Sequence, residues 1–242
     1  MLKEYMISLG YDESSIEKIT STYPLNNSKE NTLRNNIEEI FNLFISLGYK
    51  KQDVIKMTKV LPSLYGLSID NIKEKINDLK ALGYSDKDII KMTKVLPALY
   101  CYSIDNIKNK INDLKALGYS DKDIIKMTKV LPSLYSYSID NIKEKKDFYD
   151  KIGLSFIIME DTLQLIQSVN LSYARYEFYK SKGITLNKDN YKKLFISQEQ
   201  FIDDYGITNK RLTEIYSYKK YKNKQLLLKY SYSKYKNKKM LG

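Results

Sequence analysis

The sequence predicts an all-α protein, a curved helical-repeat solenoid whose units of about 35 residues each hold two α-helices and a 3₁₀ corner. Three observations predict it. Gly48, Gly83, Gly118 and Gly153 recur every 35 residues, and Pro24, Pro62, Pro97 and Pro132 each follow a glycine by 14 residues. Residues 84–110 and 119–145 differ at only three positions. A fixed period in this range marks an array in which one unit cannot bury its apolar side alone, so that stacking completes the core.

The elements follow in order. Residues 1–10 read as the end of a helix entering the first glycine stop at Gly10, and Glu4 with so short an apolar stretch argues against a signal peptide. The first copy carries three extra residues between Gly10 and Gly48. The unit opening at Gly83 is the clearest. Ser85, with an acid three positions later at Asp88, is a helix-start signal, and the acids Asp86 and Asp88 suit the positive end of the helix dipole. A first helix then runs through Ile89, Ile90, Met92, Thr93, Val95 and Leu96 and ends near Pro97, which cannot continue it. Residues 98–102 are too short for an ordinary helix and read as the 3₁₀ corner. Ser103 caps a second helix whose Ile104, Ile107, Ile111, Leu114 and Leu117 share one face. Gly118 stops it.

No proline follows Gly153 or Gly183, and this decay towards the end suits terminal units that present a polar outer side. The array is expected to occupy residues 1–215, with a Lys/Tyr-rich basic tail over 216–242.

Composition narrows the chemistry. The 242 residues include one cysteine and no histidine. A disulfide within the chain is excluded, and the commonest proton shuttle and zinc ligand is missing. Cys101 takes the place of Gly66 and Ser136 in neighbouring repeats and reads as a filler. No Walker-type loop or paired-carboxylate motif occurs. The expectation is a non-enzyme with no cofactor, no metal and no small-molecule substrate, acting as a monomer. No run approaches the ~18 apolar residues of a membrane span, so no membrane partner is expected. The net charge is +12, with 38 lysines to 3 arginines. Its distribution is uneven: beyond Glu214 there are nine lysines and no acid, which leaves +3 for the first 214 residues. Any polyanion site must therefore be argued from local pattern.

Two lysines three residues apart mark the first helix of each central unit: Lys56 and Lys59, Lys91 and Lys94, Lys126 and Lys129. Packed helices stand ~8–10 Å apart, so three copies form a ladder that a polyanion can engage without base register. The alternative is that they solubilise an exposed face. In the second helices Lys108, Lys110 and Lys115 alternate with Asp105 and Asp113, which reads as a mixed, solvated face. Tyr65, Tyr100, Tyr102, Tyr135 and Tyr137 either pack the corners between units or stack on bases. Arg175 suits bidentate phosphate contact, or an ion pair with a nearby acid. In the tail, Lys219, Lys220 and Lys222 interleave with tyrosines, a pattern suited to nucleic acid through charge and stacking, or to a solubilising extension.

The run Leu-Gly-Tyr-Ser, Asp-Ile-Ile-Lys-Met, Leu-Pro-Ser/Ala-Leu-Tyr, Tyr-Ser-Ile-Asp-Asn-Ile-Lys and Leu-Lys-Ala-Leu-Gly, clearest over residues 47–83, 82–118 and 117–153, resembles the repeat of the mTERF (mitochondrial transcription termination factor) family. The closing stretch over 171–183 and 197–206 is also similar, with Arg175-Tyr176 where members carry an arginine followed by an aromatic residue. The resemblance covers roughly residues 5–210. It implies a curved superhelix of three-helix units that binds nucleic acid along a concave basic groove. It also implies a role in gene expression and assigns the ladder lysines to phosphate. Double-stranded DNA is the favoured partner, with RNA as the alternative target and a protein-interaction scaffold as the alternative function. With no transit peptide visible, the expected location is a bacterial or endosymbiont cytoplasm, the alternative being an organelle matrix.

Overall fold

A computed structural model of the protein describes residues 1–22 and 24–225. The rest of the basic tail, including Leu226–Leu228 and the tyrosines and lysines over 230–239, lies outside the described residues. A 3₁₀ turn follows each pair of helices through most of the fold, and there is no strand among the described residues. The chain forms two compact units, Met1–Ile139 and a second that begins at Asp140.

In the first unit the helices are α1 (Leu2–Ser8), α2 (Glu13–Ser21), α3 (Glu30–Ser46), α4 (Lys51–Val60), α5 (Ile69–Ala81), α6 (Asp86–Val95), α7 (Ile104–Ala116) and α8 (Asp121–Val130). The 3₁₀ turns at Pro62–Gly66, Pro97–Cys101 and Pro132–Ser136 form the corners. Each corner begins at the proline itself, one residue earlier than the sequence suggests. The cause is Leu61, Leu96 and Leu131, which a following proline forces out of helical geometry, with φ near −130° and ψ near 80°. Proline then serves as the first 3₁₀ residue, where its missing N–H costs nothing.

Starts and stops are cut as the sequence implies. Ser85 and Ser120 accept from the amides of Asp88 and Asp123, while those acids reach back to the cap amides. Ser68 and Ser103 cap α5 and α7. At Gly83 the chain turns left-handed, with φ +98°; its amide donates to Lys80 and the next, of Tyr84, donates back to Leu79. This closing pattern, which only glycine meets without strain, aims Tyr84 into the core as the helix ends.

That tyrosine explains why the units stack. Tyr84 Oη lies 2.5 Å from Thr128 Oγ1 and 2.6 Å from Tyr135 Oη, both in the following repeat. Tyr49 makes the same two bonds with Thr93 and Tyr100, and Tyr11 with Thr58 and Tyr65. Each threonine hydroxyl also donates to its own helix, Thr93 to the Ile89 carbonyl at 2.7 Å. Each hydroxyl has one hydrogen, so the chain has one direction: Tyr100 donates to Tyr49, Tyr49 to Thr93, and Thr93 to the backbone. Around it lies a continuous apolar core that includes Ile72, Leu79, Met92 and Leu99.

The second unit contains α9 (Ile139–Lys151, its first residue in the first unit), α10 (Ile157–Glu160), α11 (Val169–Ser181), α12 (Gln198–Tyr205) and α13 (Asn209–Ile215). Here Thr162 stands where proline stood, donating to the Ile158 carbonyl at 2.8 Å and opening the 3₁₀ turn Thr162–Ile166. Residues 218–225 are helical, and Tyr221 stacks on Tyr173 with ring centres 4.9 Å apart.

Candidate nucleic-acid interface

The three lysine pairs of the first unit divide in the structure. Lys94 reaches back one repeat to Asp53 at 3.0 Å, Lys129 to Asp88 at 2.8 Å, and Lys59 to Asp12. These ammonium groups link neighbouring repeats and are already neutralised. The effect shows in their partners. Lys59, then the Ser15 hydroxyl and amide, holds the Asp12 carboxyl well below the usual carboxylate range. Burial pushes the Asp88 carboxyl up, but Lys129 and the Ser85 hydroxyl and amide outweigh it and the net shift is downward.

Lys56, Lys91 and Lys126, three residues earlier, are exposed and take part in none of the ion pairs among the described residues. One of the row, Lys126, is felt by an acid of its own helix, Asp123. The Ser120 hydroxyl and amide lower its pKa most, and the Lys126 charge adds to this.

The row is also wider than three. Lys87 and Lys122 lie four residues before Lys91 and Lys126, hence on the same helix face, and both are exposed and outside every such ion pair. Gln52 holds the corresponding position in α4. Two like charges at this spacing repel, and Lys87 and Lys122 stand in the first helical turn, at the positive end of the dipole. Of the acids beside them, Asp86 pairs with Lys80 at 2.7 Å, Asp121 with Lys115 at 2.8 Å and Asp88 with Lys129, while Asp123 accepts from Ser120. A bound anion relieves both repulsions. Sequence reading by spacing of three missed Lys87 and Lys122; counting by four, the spacing of one face, finds them.

The α4–α6 and α6–α8 contacts repeat bond for bond through the tyrosine–threonine chains and the lysine–aspartate links. Equivalent residues therefore recur by the same step, and Lys56, Lys87, Lys91, Lys122 and Lys126 form one series within the first unit. Tyr65, Tyr100 and Tyr135 do not belong to it. They are buried in the corners, where burial raises their hydroxyl pKa values, so they pack between units and offer no face to a base. In the second helices Asp105, Lys108 and Lys115 are exposed, as a mixed, solvated face requires, while Lys110 is half-buried and donates to the Tyr137 carbonyl at 2.6 Å.

The remaining candidates belong to the second unit. Arg175 is 1% exposed. One guanidinium nitrogen donates to the carbonyls of Leu194 at 2.9 Å and Ile196 at 2.6 Å, and the other to Asn209 Oδ1 at 3.0 Å. Its plane lies over Phe201, and Nε is left without a partner. The side chain clamps α11, α12 and α13 and presents nothing to a phosphate; neither does it meet an acid, the other reading its sequence context allows. The reason is the end of the 3₁₀ turn at residues 194–196, whose free carbonyls need donors that the short turn Tyr191–Phe195 cannot supply. Lys219 and Lys220 are exposed, whereas Lys222 is paired with Glu144 at 2.5 Å. Tyr218 and Tyr221 pack on Tyr173.

No group of three or more Cys, Asp or Glu side chains suited to a metal ion occurs among the described residues. No helix among them is long and apolar enough to cross a membrane. The family model described as mTERF matches residues 4–153, which takes in the first unit from residue 4 onward and the start of the second. No curated protein matches the chain.

Proposed function

The chain belongs to the mTERF family, whose members are in general nucleic-acid-binding helical-repeat proteins, and from that premise we propose that it binds duplex DNA through the five-lysine series of its first unit, as a non-enzymatic factor in gene expression. The observation that carries this reading is the division of the lysines. One set is consumed by links between repeats, while Lys56, Lys87, Lys91, Lys122 and Lys126 stay exposed outside those pairs. A repeated row of exposed cations outside the ion pairs suits a repeated row of phosphates, and phosphate contacts of this kind position a protein without reading sequence.

The test is a titration of duplex DNA at several salt concentrations. Each lysine–phosphate contact releases about 0.9 of a counterion, so five contacts give a log–log slope of about −4.5. Binding whose affinity does not change with salt, or no binding to any nucleic acid, contradicts the proposal.

A further inference from the structure

The exposed lysines do not stand alone. Val60, Val95 and Val130 lie four residues after Lys56, Lys91 and Lys126, on the same helix face, and they are 70%, 70% and 43% exposed. A single exposed valine needs no explanation. Here the same residue is bare at the same place in three successive repeats, one helical turn (about 6 Å) beyond an ammonium outside the ion pairs. The feature is also bounded. Counting back two residues from Pro24 and from Thr162, the equivalent positions hold Thr22 and Glu160, and the lysine positions hold Lys18 and Phe156. Each of the three faces thus reads, from its start, Gln52–Lys56–Val60, Lys87–Lys91–Val95 and Lys122–Lys126–Val130.

We propose that these valines rest against the sugar edges of a strand whose phosphates the neighbouring lysines hold, and that they make the surface prefer deoxyribose to ribose. The inference rests on the nucleic-acid reading above. A phosphate and its own sugar are covalent neighbours, so a face with cation and methyls one turn apart meets both. Valine methyls offer no donor or acceptor. A ribose 2′-hydroxyl pressed against them loses water and gains no hydrogen bond, whereas the C2′ methylene of deoxyribose loses nothing and buries apolar area. The 2′-hydroxyl is the group by which a protein distinguishes the two polymers at a given site.

The experiment compares duplex DNA and duplex RNA of one sequence, on the full chain and on the variant V60T/V95T/V130T. Threonine keeps the shape of valine and adds a hydroxyl, and at exposed positions it leaves the fold intact, which a thermal melt checks. The native chain is expected to favour DNA about tenfold, through modest apolar burial at three sites. The preference persists as salt rises, because the phosphate contacts are common to both polymers. The threonine variant is expected to lose most of that preference with an unchanged salt slope. An equal DNA-to-RNA ratio for the two proteins, or a native preference for RNA, overturns the inference while the lysine proposal stands. Failure of both polymers to bind overturns the two together.

Discussion

At the scale of the residue, the hydroxyl chain of Tyr49, Thr93 and Tyr100 shows how a repeat recognises its neighbour. Three buried hydroxyls satisfy one another and end on a backbone carbonyl. Tyr49→Phe removes the middle member, leaving Tyr100 without an acceptor and Thr93 without its donor. The expected cost is about 1–3 kcal/mol in a denaturant titration, since a buried polar group deprived of its partner loses most of its compensation. The carboxylates set a second expectation. Asp12 and Asp88 have lowered pKa values in the folded chain, so the stability they bring is fully present above the unfolded value near 3.9. It is lost as pH falls through the lowered folded values. The melting temperature should therefore drop below about pH 4, and D12N/D88N should flatten that part of the profile. Of these details, the capping serines and the glycine stops are legible in the sequence, because they act within four residues of themselves. The role of Arg175 is not. Its partners lie 19, 21 and 34 residues away, and the carbonyls it satisfies belong to a turn whose own hydrogen bonds only the fold reveals.

At the scale of the element, the helix end at Gly83 joins local and long-range structure. Its left-handed backbone directs Tyr84 to Thr128 and Tyr135, and a Cβ added there meets Ile125 Cδ1 at 3.0 Å. Gly83→Ala is expected to cost about 1–2 kcal/mol from the backbone alone, read as a shift in the denaturation midpoint. By contrast, the links Lys94–Asp53 and Lys129–Asp88 are partly exposed, and removing either whole pair should change stability by less than about 1 kcal/mol. The two helices and corner of each unit follow from the spacing of serine, proline and glycine. Which lysine of each pair faces the preceding repeat does not, because Lys56 and Lys59 lie only about 60° apart around the helix and either one satisfies a surface position.

At the scale of the molecule, the all-helical repeat architecture is readable from the 35-residue period. The break into compact units at Ile139 is not, because residues 119–145 copy residues 84–110 straight across it. What lies ahead of that break is self-similar: the same hydroxyl chain, the same ion pair and the same exposed lysines recur. In the first helices, the exposed lysines and not the paired ones are proposed to contact phosphate. The most direct measurement sets two variants beside the native chain in a salt titration with duplex DNA. K56Q/K87Q/K91Q/K122Q/K126Q removes the exposed series. D12N/D53N/D88N with K59Q/K94Q/K129Q removes the links between repeats with no change in net charge. The first variant is expected to make the slope shallower by about 4.5, and the second to leave it unchanged. A slope unchanged by loss of the five exposed lysines, or one that collapses with the paired ones, contradicts a phosphate site built from the exposed series.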